Sequence, residues 1–318
     1  MNEKIAVVYW CDTTGHAARS IPIASELEKR GYDVEMAGGG FGEVFANLNG
    51  FELPDLTDLT VAPDGGGSLV LHTLRHTIPR GVKRLKDLFG WLGEEDPDKV
   101  VTDDILCVFA CAVTGRKFYR IENWNAKMYS FPLKQLYGFY DWFTLRYGEK
   151  IVMTSLWPEE DAPEGRARAG PLAQVGDEEV EPYDVLLMPG SWDNEFDDIR
   201  KRLEDQGYDT KMVGADDWET KAAMTPETSA ASVVLCSGFS SIADSVVGGT
   251  HTVVWPNLFL QKGIARGIED RDIEGIETVW SYDEAVEALE RCLESPCETP
   301  DFGSGASEFV DHVTGQDS

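Results

Sequence analysis

A histidine stands in a loop where its side chain could accept a proton. The apolar run from Lys4 to Trp10 (KIAVVYW) is typical of a buried parallel strand, and it gives way to the polar residues DTTGH, which end at His16. In open α/β sheets, the loop after a strand lies at the edge where ligands bind. At the start of the following helix, the helix dipole favours a neutral imidazole, which can act as a base near neutral pH. The alternative is that His16 only packs against the turn.

The elements around this loop alternate between strands and helices. The spacing of Ile21, Ala24 and Leu27 predicts a helix over residues 17–30, Gly31 is placed just after its end, and YDVEMAG follows as a strand. Further helices are expected over 42–48, 71–92, 105–114 and 134–147, and further strands over 99–104, 118–121 and 151–155. This alternation predicts a parallel sheet with helices on both faces.

A charged, proline-containing stretch without apolar periodicity, residues 157–182, separates this series from a second one. The second series has strands over 183–190, 209–214, 232–238, 252–257 and 277–280, and helices over 196–205, 240–247, from 261 and over 282–293. Because 318 residues exceed the usual size of one core, we expect two domains, 1–160 and 183–295, joined by a linker over 161–182. The acidic residues 296–318 are expected to form a flexible tail.

Charge and composition exclude several classes of function. The 28 basic and 57 acidic residues give a formal net charge of -29, which would repel the phosphates of a nucleic acid. Residues 1–150 carry 17 basic and 21 acidic residues, a net of -4, and the remainder carries 11 and 36, a net of -25. So widespread an acidic excess is typical of a halophile's surface. With no apolar run of about 18 residues and no signal-peptide layout, the chain is expected to be cytoplasmic.

The six cysteines give no sign of a metal site or a disulfide framework. They form no CxxC pair and have no histidine at zinc-finger spacing. Cys11, Cys107, Cys111 and Cys236 lie in apolar stretches, where we expect them to pack in the core.

The segment from Gly15 to Val34, GHAARSIPIASELEKRGYDV, resembles the opening of GT-B glycosyltransferases of family 28, whose best-known members are MurG-type N-acetylglucosaminyltransferases. The resemblance implies two Rossmann-like α/β domains facing a cleft, with the Gly-His pair on the acceptor side. In related family-1 enzymes the corresponding histidine is a general base, oriented by an aspartate of the same domain. The strand end VVTDD resembles the matching segment, which makes Asp103 the candidate orienting residue. Asp104 is expected to cap the next helix, and capping is also the alternative role for Asp103.

Residues 231–256 resemble the donor-binding strand, glycine loop, helix and following strand of GT-B proteins. The candidate donor-binding residues of this segment are Ser237, Gly238, Phe239, Ser240 and Ser241. Small residues let the backbone approach a diphosphate, and the amides of a helix N-terminus stabilise its charge. Such an arrangement can stabilise a leaving diphosphate without a metal ion. The alternative is an ordinary Rossmann turn.

Other positions match the family less closely. Asp244 stands where the family has a glutamate that holds the ribose hydroxyls, and its side chain is one methylene shorter. Gln261 matches a position that reads the donor sugar, whereas Leu260 and Ile264 depart from the pattern. Two weaker candidates for diphosphate contact follow the first strand of the second domain: Gly190 and Ser191.

Together these matches predict an inverting, metal-independent glycosyltransferase. It would move a sugar from a nucleotide donor, expected to be UDP-linked, to a hydroxyl acceptor bound by the N-terminal domain. No cofactor is expected, because the nucleotide sugar is a substrate. Two alternatives stay open: a nucleotide-sugar 2-epimerase, and a non-catalytic donor-binding subunit of a transferase complex, which the departures at Asp244, Leu260 and Ile264 motivate.

A basic and apolar stretch predicts peripheral contact with a membrane, and with it a lipid-linked acceptor. Five basic residues accompany leucines and aromatic side chains between residues 75 and 93, a pattern typical of interfacial helices: Arg75, Arg80, Lys83, Arg84 and Lys86. A second stretch, Phe118 to Tyr147, is rich in aromatic residues and could line a groove for a lipid or sugar acceptor. The alternative is that both helices pack their apolar faces on the sheet.

Overall fold

The computed structural model describes residues 2–59, 73–123, 133–157, 160–190, 195–257, 259–295 and 297–316. The described residues form two compact units. The first takes in the described chain up to Ala169 together with the residues from Ala306 onwards, and the second takes in Gly170–Gly305. In the described ranges, no helix combines the length and the apolar content that crossing a bilayer would need.

The described part of the first unit contains six strands, β1 (Lys4–Val8), β2 (Asp33–Ala37), β3 (Lys99–Thr102), β4 (Phe118–Glu122), β5 (Lys150–Thr154) and β6 (Arg166–Ala169). Its α-helices are α1 (Thr14–Lys29), α2 (Glu43–Leu48), α3 (Ile78–Glu95), α4 (Ile105–Thr114), α5 (Leu133–Tyr147) and the C-terminal α11 (Ala306–Thr314); a 3-10 turn (Gly40–Gly42) precedes α2 and a π-helical turn (Thr73–Thr77) precedes α3. All strands pair in parallel, in the order β2-β1-β3-β4-β5-β6. The chain leaves β1 towards β2 and returns to β3 on the other side, so the topological switch point lies between β1 and β3.

Among its described residues, the second unit contains five strands, β7 (Tyr183–Met188), β8 (Thr210–Met212), β9 (Ala231–Cys236), β10 (Thr252–Val254) and β11 (Ile276–Thr278). Its helices are α6 (Glu195–Asp205), α7 (Thr225–Ala230), α8 (Phe239–Val247), α9 (Phe259–Glu269) and α10 (Tyr282–Glu294). The sheet is again parallel, in the order β11-β10-β9-β7-β8. Here the chain leaves β7 towards β8 and returns to β9, so the switch point lies between β7 and β9.

The core of each unit follows from the apolar strands. Every residue of β1 from Ile5 to Val8 is buried, because helices cover both faces of a parallel sheet. Helix α3 contributes Leu88, Trp91 and Leu92 to the same core. Burying each of these large side chains stabilises the fold by about 1.5–3 kcal/mol.

Arg84 lies one helical turn before Leu88 and shares the buried face of α3. Its side chain is fully buried, and it donates to Oδ2 of Asp104 at 2.8 Å and to the carbonyl oxygen of Tyr9 at 3.2 Å. Asp104 also caps α4, as predicted, by accepting the N–H of Leu106 at 2.8 Å. A buried charge is tolerated only when it is paired in this way. The assignment of Arg84 to a membrane-facing basic set is therefore wrong.

The C-terminal residues form a packed helix, not the flexible tail expected from their composition. Helix α11 packs against α1 and β6 and buries Phe309, Val310 and Val313. Nη1 of Arg30 donates to Oδ1 of Asp311 at 2.5 Å. The sequence did not predict this helix, because only three large apolar residues mark its buried face and the residues around them are acidic or small.

The predicted linker also contains structure. Strand β6 pairs in parallel with β5, with Ile151 opposite Arg166 and Thr154 opposite Ala169, so the first unit extends to Ala169. The sequence RARA has no β-branched or aromatic residue, and its strand conformation comes from pairing and from cover by α11. The predicted domain boundaries therefore differ from the observed ones at both ends of the second unit.

The cysteines follow the sequence expectation in part. Cys11, Cys107, Cys111 and Cys236 are buried and free, as predicted. Cys292 and Cys297 are joined in a disulfide, which the sequence did not indicate. The Cα atoms of the two residues lie 5.4 Å apart, within the range that a disulfide requires.

Candidate functional site

The structure brings His16 and Asp103 together at the switch point of the first sheet. His16 lies in the first turn of α1, just after β1, and Asp103 directly follows β3. Nδ1 of His16 lies 2.8 Å from Oδ2 of Asp103. The predicted contact between the two side chains is therefore present, and their roles in catalysis stay a prediction.

Three groups contact the Asp103 carboxylate. Oδ1 accepts the backbone N–H of Trp10 at 2.8 Å, and Oδ2 accepts Nε–H of Arg19 at 2.6 Å besides facing His16. Burial alone would raise the pKa of Asp103, but the charges of Arg19 and His16 and these hydrogen bonds outweigh it and lower the pKa to about 2. Asp103 is thus a fixed negative charge at any neutral pH.

Two contacts of Nδ1 bear on the tautomer of His16. With the proton on Nδ1, the ring donates to Asp103; with Nδ1 deprotonated, two lone pairs would face each other at 2.8 Å. A second nitrogen of Arg19, which can only donate, also contacts Nδ1, so the contacts of Nδ1 with Asp103 and with Arg19 favour opposite tautomers. In the tautomer with the proton on Nδ1, Nε2 carries the lone pair that can accept a proton, and 24% of the side chain is exposed.

Arg19 is the part of this cluster that the sequence argument did not assign. It lies one helical turn after His16 on α1, and its side chain is mostly buried against Asp103. His16 and Arg19 are three residues apart and therefore share one face of α1, and this spacing is the sequence signal that could have identified Arg19. The position of its partner, Asp103 after β3, could not be inferred from the sequence of α1 alone.

The low pKa of Asp103 predicts a contribution to stability that acid removes. The folded-state pKa of about 2 lies below the ordinary value of about 3.9, so the contribution is present above about pH 4 and is lost as the pH falls towards 2. In urea titrations, the free energy of unfolding of the wild type should decrease between pH 5 and pH 2.5. The decrease in Asp103→Asn should be smaller by about 2 kcal/mol, because the variant lacks the carboxylate that acid protonates. The exposed Asp161→Asn is the control. Equal losses in wild type and Asp103→Asn would contradict the expectation.

The second sheet brings another set of predicted residues to its own switch point. Gly190 follows β7 and Ser237 follows β9. A Cβ atom on Gly190 would lie 2.8 Å from Oγ of Ser237 and 3.3 Å from Nε2 of Gln261, so the three residues are direct neighbours. Oγ of Ser237 is buried and has no hydrogen-bond partner among the described residues. A buried hydroxyl without a partner costs about 1–3 kcal/mol, which a bound ligand would recover.

Gly238 leads this turn into the N-terminus of α8. Its backbone is extended (φ -101°, ψ 154°), and the first intrahelical bond runs from the N–H of Ile242 to the carbonyl of Gly238 at 3.0 Å. The preceding amides, those of Phe239, Ser240 and Ser241, therefore project from the positive end of the helix. A Cβ atom on Gly238 would meet only Oγ of Ser241, at 3.9 Å, so the space above the glycine is open. Backbone amides around an open glycine are suited to a phosphate group.

The remaining candidates lie on the helices that follow. Asp244 is buried in α8, and burial alone raises the pKa of its carboxyl to about 8. Gln261 lies on α9, and its Oε1 accepts the N–H of Asn257 at 3.0 Å, which ties α9 to the loop after β10. Nδ2 of Asn257 is buried and has no hydrogen-bond partner among the residues that the structure describes. Ser191 lies outside the described residues.

No protein-family model and no curated protein matches the chain. Solved structures are similar to it over nearly its whole length. The spinosyn forosaminyltransferase SpnP has a TM-score of 0.65 at 13% identity, covering 100% of this chain and 96% of its own. A glycosyltransferase from Streptomyces sp. SF2575, complexed with thymidine diphosphate, has a TM-score of 0.67 at 14% identity, with coverages of 99% and 96%. A protein assigned as a UDP-N-acetylglucosamine 2-epimerase from Listeria monocytogenes has a TM-score of 0.66 at 11% identity, with coverages of 99% and 97%.

These likenesses and the two parallel sheets establish the architecture. The chain has the GT-B fold, with two Rossmann-like α/β domains, which confirms the predicted fold class.

Proposed function

We propose that the protein is an inverting glycosyltransferase that moves a sugar from a nucleoside-diphosphate donor to a hydroxyl acceptor. The observation that carries the proposal is that each sheet has its candidate residues at its switch point. The first sheet holds the His16–Asp103 pair, and the second holds the open turn at Gly238. The fold shared with solved glycosyltransferases supports it, and so does the resemblance of residues 15–34 and 231–256 to GT-B enzymes.

The chemistry needs one proton transfer and one displacement. Nε2 of His16 takes the proton of the acceptor hydroxyl, and Asp103 stabilises the imidazolium that forms. The acceptor oxygen forms a bond to the anomeric carbon while the bond from that carbon to the diphosphate oxygen breaks. The diphosphate leaves with the electron pair, and the amides at the start of α8 stabilise its charge.

The fate of the nucleotide tests this proposal against its rivals. We expect a panel of UDP-, GDP- and TDP-sugars, incubated with lipid-linked and soluble acceptors, to release the nucleoside diphosphate from at least one donor. A similar fold also occurs in the protein assigned as a 2-epimerase, and an epimerised sugar still attached to its nucleotide would favour that reaction. Nucleotide binding in calorimetry without any turnover would favour a non-catalytic donor-binding subunit.

The buried Asp244 predicts how nucleotide affinity changes with pH. A carboxylate accepts hydrogen bonds from both ribose hydroxyls, whereas the protonated group has lost part of that capacity. Because its pKa is raised to about 8, the ionised fraction rises between pH 7 and pH 9. We expect UDP affinity to rise over this range by up to about tenfold and then level off. Calorimetry with Asp244→Asn should give a flat profile, and an equal pH dependence in both proteins would rule out this role.

We further propose that the acceptor is lipid-linked and that the first unit contacts a membrane surface through the start of α3. Arg84 is excluded from this surface, and Leu88, Trp91 and Leu92 belong to the core. The exposed residues of this surface, called here the α3 surface, are Arg75, Ile78, Arg80, Val82, Lys83 and Lys86. Val82 is 66% exposed among these cations. The aromatic stretch from Phe118 to Tyr147 lies partly outside the described residues. Within its described part, Phe139 and Trp142 on α5 are exposed.

Vesicle binding tests this membrane contact. We expect wild type to co-sediment with anionic vesicles at low salt, and the variant with Arg80, Lys83 and Lys86 changed to Glu to bind much less. Each cation near an anionic surface contributes about 1 kcal/mol, and salt screens that contribution. A control with the exposed Lys29, Lys117 and Lys201 changed to Glu has the same net charge and should bind nearly as well as wild type. Equal sedimentation of the two triple variants would contradict the proposal.

A further inference from the structure

The second unit contains a cluster of metal-binding side chains that the glycosyltransferase reaction does not use. His251 directly precedes β10, Cys292 lies in the last turn of α10, and Cys297 follows that helix. One ligand atom from each of the three side chains lies within 4.8 Å of the other two. His251 and Cys292 are buried, so this is an enclosed cluster.

The hydrogen bonding of His251 leaves one ring nitrogen ready to bind a ligand. Nδ1 lies 2.7 Å from the carbonyl oxygen of Glu298, which can only accept, so Nδ1 carries the proton and donates it. Nε2 then holds a lone pair, and it is buried without a hydrogen-bond partner among the described residues. A histidine whose other nitrogen donates to a backbone carbonyl is the arrangement that orients imidazole ligands of metals.

We propose that His251, Cys292 and Cys297 form a binding site for a soft divalent cation, such as Zn²⁺, when the two cysteines are reduced. Two thiolates and one imidazole make a Cys₂His donor set, and four residues between the cysteines fall within the spacing of zinc ligands. Oε2 of Glu277 lies 3.9 Å from Nε2 of His251 and can supply the fourth ligand, although Glu277 also pairs with Arg291. The site ties the end of α10 to β10 and is independent of the proposed sugar transfer.

The same two sulfur atoms cannot serve the disulfide and the metal together. A dithiol reductant supplies two electrons and two protons, becomes a cyclic disulfide, and converts the Cys292–Cys297 disulfide to two thiols. Zn²⁺ then displaces one proton from each thiol and binds the two thiolates. The pair therefore has two alternative states, a disulfide and a metal-bound dithiolate.

Cobalt binding is the test, because Co²⁺ replaces Zn²⁺ and reports thiolate ligation by its charge-transfer absorption. We expect the full chain, reduced with a dithiol that is then removed without oxygen, to bind one equivalent of Co²⁺ with a thiolate band that Zn²⁺ abolishes. Cys292→Ser and Cys297→Ser should each lose most of the band, and His251→Asn should weaken Zn²⁺ binding at least tenfold. Cys107 and Cys111 lie 4.0 Å apart at their sulfurs, so Cys111→Ala is the matched control and should keep the band.

Several results would overturn the proposal. They are the absence of a thiolate band in the reduced wild type, a band that survives in Cys292→Ser, and Zn²⁺ affinity unchanged in His251→Asn. Circular dichroism of each variant shows whether it folds. If a serine variant does not fold, thiol alkylation of the reduced wild type decides: bound Zn²⁺ should protect Cys292 and Cys297, and equal alkylation with and without Zn²⁺ would refute the site. UDP binding is measured in parallel, since its loss bears on the proposed function and not on the metal.

Discussion

His16→Ala is expected to lower the rate of sugar transfer by about 10²–10⁴-fold, the usual contribution of a general base. The affinity for the nucleotide should stay within about twofold, because His16 lies in the first unit and the donor turn in the second. Initial rates with saturating donor, together with calorimetric titration of UDP, measure the two quantities separately.

Two variants make this result specific to the base. Asp103→Asn keeps the shape of the carboxylate but removes its charge, so it should also lose transfer while binding nucleotide normally. His76→Ala removes an exposed histidine of the same unit outside the candidate site and should retain wild-type rates. A His16→Ala variant with unchanged turnover, or with nucleotide binding lost together with activity, would show that His16 is not the base.

Gly238→Val is expected to have the opposite effect. The open space at Gly238 and its extended backbone accept a branched side chain, so the variant should fold with a melting temperature close to that of wild type. The added methyl groups would occupy the space through which a diphosphate approaches the amides of α8. Nucleotide affinity should fall by at least about 100-fold, equivalent to about 2.7 kcal/mol.

The controls for this prediction use the same unit. Ser241→Trp should also block the diphosphate, because Ser241 is the nearest side chain to Gly238. Gly303→Val places the same side chain at an exposed glycine outside the turn, with no atom within 4 Å of its Cβ, and should bind UDP like wild type. Unchanged UDP affinity in Gly238→Val would show that the turn does not hold the diphosphate.

The sequence predicted the elements whose helix or strand signals all lie in the local sequence. Helix α4 spans Ile105–Thr114 as predicted, and Asp104 supplies its predicted cap. The contact between His16 and Asp103 was implied by the resemblance to GT-B enzymes, and it forms because a parallel sheet brings the ends of β1 and β3 to one edge. Strand β6 and helix α11 were missed because β6 depends on pairing with β5 and α11 depends on packing against β6 and α1, which no local pattern encodes.

The interpretation of Arg84 failed for a different reason. Arg84, Leu88 and Trp91 stand at helical positions i, i+4 and i+7, so the period itself places the arginine on the buried face. The prediction grouped Arg84 with the other basic residues by their number along α3 and did not take the helical period into account. The partner that makes burial possible, Asp104, lies after β3 and becomes visible only in the folded chain.

The anomeric configuration of the transferred sugar tests the central claim most directly. Transfer by one displacement, with His16 as base, predicts that the nucleoside diphosphate is released and that the new glycoside has the configuration opposite to that of the donor. Proton NMR of the reaction from its first minutes, with the donors and acceptors of the panel and with His16→Ala alongside, reads both quantities. A retained configuration, or donors that stay intact with every acceptor, would contradict the account.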